Sequence, residues 1–141
     1  MRHGAVMRMA WAWLALAIAA PVQAPAQDAA TAAPAAVPAG CDRERGERVF
    51  TKCAICHARD AALPSLVGPN LAGVVGRQSA TLAQFKYTKA LRELRQKWTP
   101  ELLERFLADP QGLVPGTAMA FTGLKDADDR AAVICLLANS R

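Results

Sequence analysis

Five consecutive residues concentrate the chemistry of this chain: Cys53-Ala54-Ile55-Cys56-His57. Two thiols two residues apart, at the end of a helical turn, can both add to the vinyl groups of one porphyrin. The adjacent imidazole then meets the iron from the same side. Histidine suits that position because one neutral ring nitrogen binds iron while the other is fixed by a hydrogen bond. The competing chemistries for such a pair are thiol exchange, zinc binding and chance occurrence. A thioredoxin-type pair needs a βαβ setting, and no such pattern surrounds this one. Zinc needs a second pair of ligands, and no further C-x-x-C or spaced histidine pair follows.

An iron held by His57 has a second axial face, and few residues can reach it. His3, Met1, Met7 and Met9 fall in an N-terminal stretch read below as a leader, which leaves Met119 as the one methionine after it. A thioether is a soft ligand that favours ferrous iron and raises the potential. Met119 ends Pro115-Gly116-Thr117-Ala118-Met119, a stiff, turn-rich segment. The alternative role for Met119 is that of a flexible gap-filler in the core.

These residues need elements to position them. Residues 1–26 read as a secretory signal. Arg2 and Arg8 form its positive region, Met9 to Ala20 its apolar run, and Ala24-Pro25-Ala26 its cleavage site. The apolar run is short for a membrane anchor, the competing reading. Residues 27–40, rich in Ala and Pro, read as a disordered linker. The folded domain is expected over 41–141. Asp42 is a candidate N-cap, and Gly46, Val49, Phe50 and Cys53 follow a helical period. Residues 58–86 carry Pro64, Gly68, Pro69, Gly73 and Gly76 and read as loop. A short helix is expected within 88–97. A clearer one starts at Thr99-Pro100, with Leu102, Leu103, Phe106 and Leu107 as its apolar face, and ends at Asp109-Pro110. Residues 112–123 read as loop, and 125–139 as a final helix with early acids Asp126, Asp128 and Asp129. No segment alternates with period two, so the fold class is all-α.

The chain has 141 residues, enough for one small domain. A domain of that size buries a modest core, which a large apolar cofactor would reinforce. The formal charge is +5, and loss of Arg2 and Arg8 with the leader lowers it to about +3. No basic run is interleaved with stacking aromatics, so nucleic acid is not an expected partner. Cys41 and Cys135 remain after haem attachment, and an even count in an exported chain permits a disulfide.

From about Gly46 to Asn139 the sequence resembles the class I cytochromes c. The matching stretches are Lys52-Cys-Ala-Ile-Cys-His57, Gly68-Pro-Asn-Leu-Ala-Gly73 running on to Gly76-Arg77, Phe85-Lys-Tyr-Thr88, Trp98 and Pro115-Gly-Thr-Ala-Met119. The resemblance implies four to five helices and long loops wrapped around one haem, with the first and last helices crossing at Gly46 against Val133 and Leu136. It implies that the Pro69 carbonyl accepts the His57 ring N–H. It assigns Arg77, Tyr87, Trp98 and Thr117 to the haem propionates, and sets Phe121 near the haem edge. It also places Cys41 and Cys135 on the two helices that cross, where a bridge would join them; two free thiols, or Cys135 as a small buried hydrophobe, are the alternatives. Three positions depart from the family pattern. Phe106 stands where a Tyr is frequent, Leu91 where an Asn is common, and Ala118 where a Lys usually precedes the methionine. Lys52, Lys86, Lys89, Arg92, Arg95 and Lys97 still leave a basic side.

The resemblance implies a monomeric electron carrier, not an enzyme, that exchanges electrons with redox proteins, membrane respiratory complexes being one candidate class; the leader implies a periplasmic location, with no transmembrane segment once it is removed. Two other functions compete with it. A labile Met119 would open the iron to peroxide or a small gas, though no distal His or Arg stands near it to assist. Alternatively, the domain is a haem subunit dedicated to one dehydrogenase.

Overall fold

The structure is a computed structural model and describes Met1 and residues 40–141. The expected leader and all of the expected linker except Gly40 lie outside the described residues, Met1 aside. Five helices follow in order: α1 (Arg43–Ala54), α2 (Lys89–Leu94), α3 (Pro100–Ala108), α4 (Pro110–Leu113) and α5 (Ala127–Ala138). Among the described residues there is no strand, only one isolated antiparallel bridge between Gln78 and Lys97. None of the described helices is long and apolar enough to cross a membrane.

Local chemistry explains where the helices begin. The Asp42 carboxylate accepts from Arg45 N at 2.8 Å at the start of α1. Thr88 and Thr99 cap α2 and α3 in the same way, and Pro100 occupies the first position of α3. Asp126 accepts from Asp128 N and Asp129 N at 2.8 and 3.1 Å, which starts α5 two residues later than the charge pattern suggests. The stretch read as loop from 112 begins inside α4. Pro110 ends α3 but also opens α4, since a ring that cannot continue one helix fits the first turn of the next.

Helices α1 and α5 cross closely. A Cβ on Gly46 would lie 2.6 Å from the Ala132 carbonyl oxygen and 3.1 Å from Leu136 Cβ, so Ala132 and Leu136 come nearest to it across the crossing. Val133 and Leu136 are nearly inaccessible and share one core with Val49, Phe50, Leu102 and Phe106. Arg45 fills the position a capping-box glutamate would hold. Its Nε donates to Asp129 at 2.7 Å, its Nη2 to Asp126 at 3.0 Å and its Nη1 to Asp128 at 3.3 Å. The acids that favour the N-terminus of α5 thus also hold α1 against it. Arg130 Nε, 2.6 Å from Glu104, ties α5 to α3.

Candidate haem site

The last turn of α1 carries the two thiols. Cys56 N and His57 N both bond to the Cys53 carbonyl, at 3.0 and 2.9 Å, so the helical path continues to the histidine. Both thiols are unpaired and half-buried. Burial raises the Cys53 thiol pKa above its ordinary value, with the Lys52 charge opposing and Cys56 adding to the rise.

The loop after the helix folds back over the imidazole. Gly68 N donates to the Cys56 carbonyl at 2.8 Å, and His57 Nδ1–H donates to the Pro69 carbonyl at 2.7 Å. That bond leaves the Nε2 lone pair for a metal. Gly68 lies so close that a Cβ there would sit 2.6 Å from Nδ1 and 2.7 Å from Nε2. Burial lowers the His57 pKa, with the Pro69 carbonyl opposing, so the neutral ring is favoured.

Asn70 pins this loop. Its Nδ2 donates to the carbonyls of Asp60 and Leu63, both at 2.7 Å, and its Oδ1 accepts from Ala72 N at 2.8 Å. Arg77 donates to the Asn70 and Ala72 carbonyls, each at 2.9 Å. Asn70 belongs to the matched Gly68–Gly73 stretch, yet only its burial shows that it holds the loop together.

A short ladder brings Arg77 beside Trp98. Gly76 N donates to the Trp98 carbonyl at 2.8 Å, and Trp98 N to the Arg77 carbonyl at 2.9 Å. The indole is buried and its ring centroid lies 5.0 Å from that of Phe106. Tyr87 is close enough to Arg77 for each to favour the other's charged form, but burial dominates: it lowers the Arg77 pKa and raises that of Tyr87. One rung further along the ladder, Ser79 N donates to the Gln96 carbonyl at 2.8 Å. The Ser79 hydroxyl is buried with no partner among the described residues. An unmet buried donor is costly, on the order of 1–3 kcal/mol.

A second segment, 115–119, carries Met119 and is fastened by its own hydrogen bonds. Thr117 Oγ1 accepts from Met119 N at 3.3 Å. Gln111 Nε2, from α4, donates to the Thr117 carbonyl at 3.0 Å and more weakly to that of Met119 at 3.4 Å. Gln111 could not be read as a positioning residue without α4. Met119 and Phe121 pack, half-buried, on the same core as Cys53, Leu71, Val75, Leu91 and Leu94. Cys41 and Cys135 stand with Cα atoms 5.8 Å apart and their sulfurs in contact.

This arrangement fits a haem. Free thiols flank a preset imidazole, half-buried apolar side chains line the core beside them, and a buried hydroxyl lacks an acceptor. No three His, Cys, Asp or Glu side chains converge among the described residues, so no bare-ion site competes there.

No protein-family model matches the chain. Among curated proteins, it is 46% identical over 97 residues to cytochrome c-type cyt cy of Rhodobacter capsulatus, covering 68% of this chain and 48% of that protein. It is 41% identical over 100 residues to a cytochrome c of Gossypium barbadense, covering 70% of this chain and 90% of that one. It is 43% identical over 104 residues to a cytochrome c of Chlamydomonas reinhardtii, covering 73% and 92%. The chain thus spans about half of the Rhodobacter protein and nearly all of the other two. With that coverage, an all-α fold and two thiols set before an imidazole, the chain belongs to the class I c-type cytochromes, electron-transfer proteins that carry covalently bound haem.

Proposed function

We propose that this chain carries single electrons on one haem c, attached through Cys53 and Cys56 and ligated by His57 and Met119. The observation that supports this reading best is the His57 ring, whose Nδ1–H is committed to Pro69 so that Nε2 is the nitrogen left to bind iron. When bound, a haem would supply a one-electron iron couple. The chain's residues then have separate tasks. Pro69 and Gly68 orient the imidazole, while Gln111 and Thr117 hold the segment that presents the Met119 sulfur. Arg77, Tyr87, Trp98 and Thr117 serve the haem carboxylates, and the unmet Ser79 donor suits the same end of the site.

The same reading assigns 1–26 to a cleaved signal, 27–40 to a linker and 41–141 to the haem domain. It places a monomer in the periplasm, exchanging electrons with redox proteins. Cys41 and Cys135 form a disulfide there, as an oxidising compartment allows.

A haem-stained denaturing gel and a redox titration test the proposal. Haem should migrate with the chain and titrate reversibly with one electron. Haem that runs free of the polypeptide would sink the attachment. Met119→Ala should abolish the weak sulfur-to-iron absorption band and lower the potential. An unchanged ferric spectrum in that variant would refute the ligand.

A further inference from the structure

Among the described residues, the Ser79 hydroxyl is the one buried side-chain polar group without a hydrogen-bond partner. Ser79 is 5% exposed, so bulk water does not meet the group either. Folded proteins pair almost every such donor, and an exception marks a missing partner. The backbone holds Ser79 in place. Its N–H is bonded to the Gln96 carbonyl at 2.8 Å. Just beyond it the chain turns away: Ala80 has φ of 57°, and Thr81 Oγ1 donates to the Gln78 carbonyl at 2.8 Å.

The ladder also decides which neighbours the hydroxyl has. Gln78 and Lys97 form the bridge, flanked by bonds from Trp98 N to the Arg77 carbonyl and from Ser79 N to the Gln96 carbonyl. Side chains alternate across such a pair, so Gln78 and Lys97 leave one face while Arg77, Ser79, Gln96 and Trp98 leave the other. Ser79 and Trp98 are buried on that second face, Gln96 is at its exposed margin, and Lys97 on the first face is exposed. Arg77 is a donor and cannot be the missing partner, and its Nη1 and Nη2 are committed to the Ala72 and Asn70 carbonyls. What this face lacks is an acceptor. An anionic oxygen suits it, because Arg77 supplies the positive charge that a buried anion requires.

We propose that Ser79 is a further haem-binding residue: its Oγ–H donates to a haem carboxylate, on the face it shares with Arg77 and Trp98. This rests on the electron-carrier reading and adds a residue to that end of the site. A buried carboxylate has about four lone-pair sites and is costly to leave short of donors. A buried water is the other acceptor such a site admits, and it would leave the carboxylate untouched. The bond has an electronic consequence. A donor draws negative charge off the carboxylate, and negative charge near the iron favours the ferric state. Loss of the donor therefore lowers the midpoint potential.

Resonance Raman spectroscopy of the ferrous holoprotein reads the bending mode of the haem carboxylate side chains, and a redox titration reads the potential. Ser79→Ala should shift that mode and lower the midpoint potential by about 30 mV, which is about threefold in the oxidised-to-reduced ratio at about 59 mV per tenfold. Ser79→Thr keeps the hydroxyl and should retain both parent values. Gln78→Ala, on the opposite face of the ladder, should move neither. An unmoved mode or an unmoved potential in Ser79→Ala overturns the proposal, as does a Ser79→Thr variant that behaves like the alanine one. Equal movement in Gln78→Ala also overturns it, because the effect would then be one of ladder stability. A raised melting temperature in Ser79→Ala with both readouts unmoved is the signature of an orphan donor and counts against the bond. All of these leave the electron-carrier reading standing, whereas a chain that carries no covalent haem refutes that reading too.

Discussion

Gly46 of α1 and Ala132 of α5 meet backbone to backbone, with room between them for a hydrogen but not for a methyl group. The obstacle is a helix carbonyl, so no rotamer change relieves it. Gly46→Ala should therefore destabilise the holoprotein by about 1–3 kcal/mol, read as a lower denaturation midpoint at unchanged slope. Stability equal to the parent would show that the crossing relaxes freely.

The α5 cap predicts a response to acid. Hydrogen bonds from Asp129 N and then Asp128 N, with the Arg45 charge, hold the Asp126 carboxyl below its ordinary range. A depressed carboxylate contributes stability that is present above its unfolded pKa of about 4 and is lost as pH falls through the folded value. Asp126→Asn keeps an acceptor for the cap but does not titrate. Its melting temperature should fall less than the parent's on acidification below about pH 4. Parallel acid profiles would remove Asp126 from the account.

Ala80 has φ of 57°, a left-handed conformation that its Cβ disfavours. Ala80→Gly should raise stability by about 1 kcal/mol in denaturant titrations. A loss of stability would mean that the Ala80 methyl makes contacts worth more than the backbone relief.

Gln111 fastens the segment that presents Met119. On the proposed ligation, Gln111→Ala should let that segment open, so cyanide should bind the ferric holoprotein about tenfold more tightly, as loss of a hydrogen bond worth about 1–1.5 kcal/mol implies. The global melting temperature should change little, since Gln111 itself is exposed. Unaltered cyanide affinity would leave Gln111 without a role in holding the ligand.

The proposed Cys41–Cys135 disulfide would close a loop spanning 94 positions. Its removal by a double Cys→Ser change should cost about 2–5 kcal/mol. Mass spectrometry of non-reduced, alkylated protein checks the bond, and two alkyl groups added without reductant would refute it.

The legible features were those that act locally. Thr99-Pro100 announced α3 because a cap and a preset φ need only their neighbours. The Cys53–His57 motif was readable because its spacing is its chemistry. Helix α4 was not: four residues carry no period, and Pro110 reads as a stop before it reads as a start. Arg45 gave no sign of its role, because its acids come from the far end of the sequence. Asn70 and Ser79 gave no signal, since a polar residue in a loop looks the same whether buried or exposed. Ile55 and Val67, both exposed, were opaque in the reverse sense, because apolar side chains in a sequence suggest interior.

The wall that Gly68 and Pro69 build against His57 has a kinetic meaning. An imidazole with backbone against its face and a carbonyl on its Nδ1 has little room to turn. Atoms that keep their places when a charge arrives or leaves add nothing to the reorganisation energy of that event. On the proposed ligation, the glycine that looks like a packing necessity helps to decide how fast an electron can come and go.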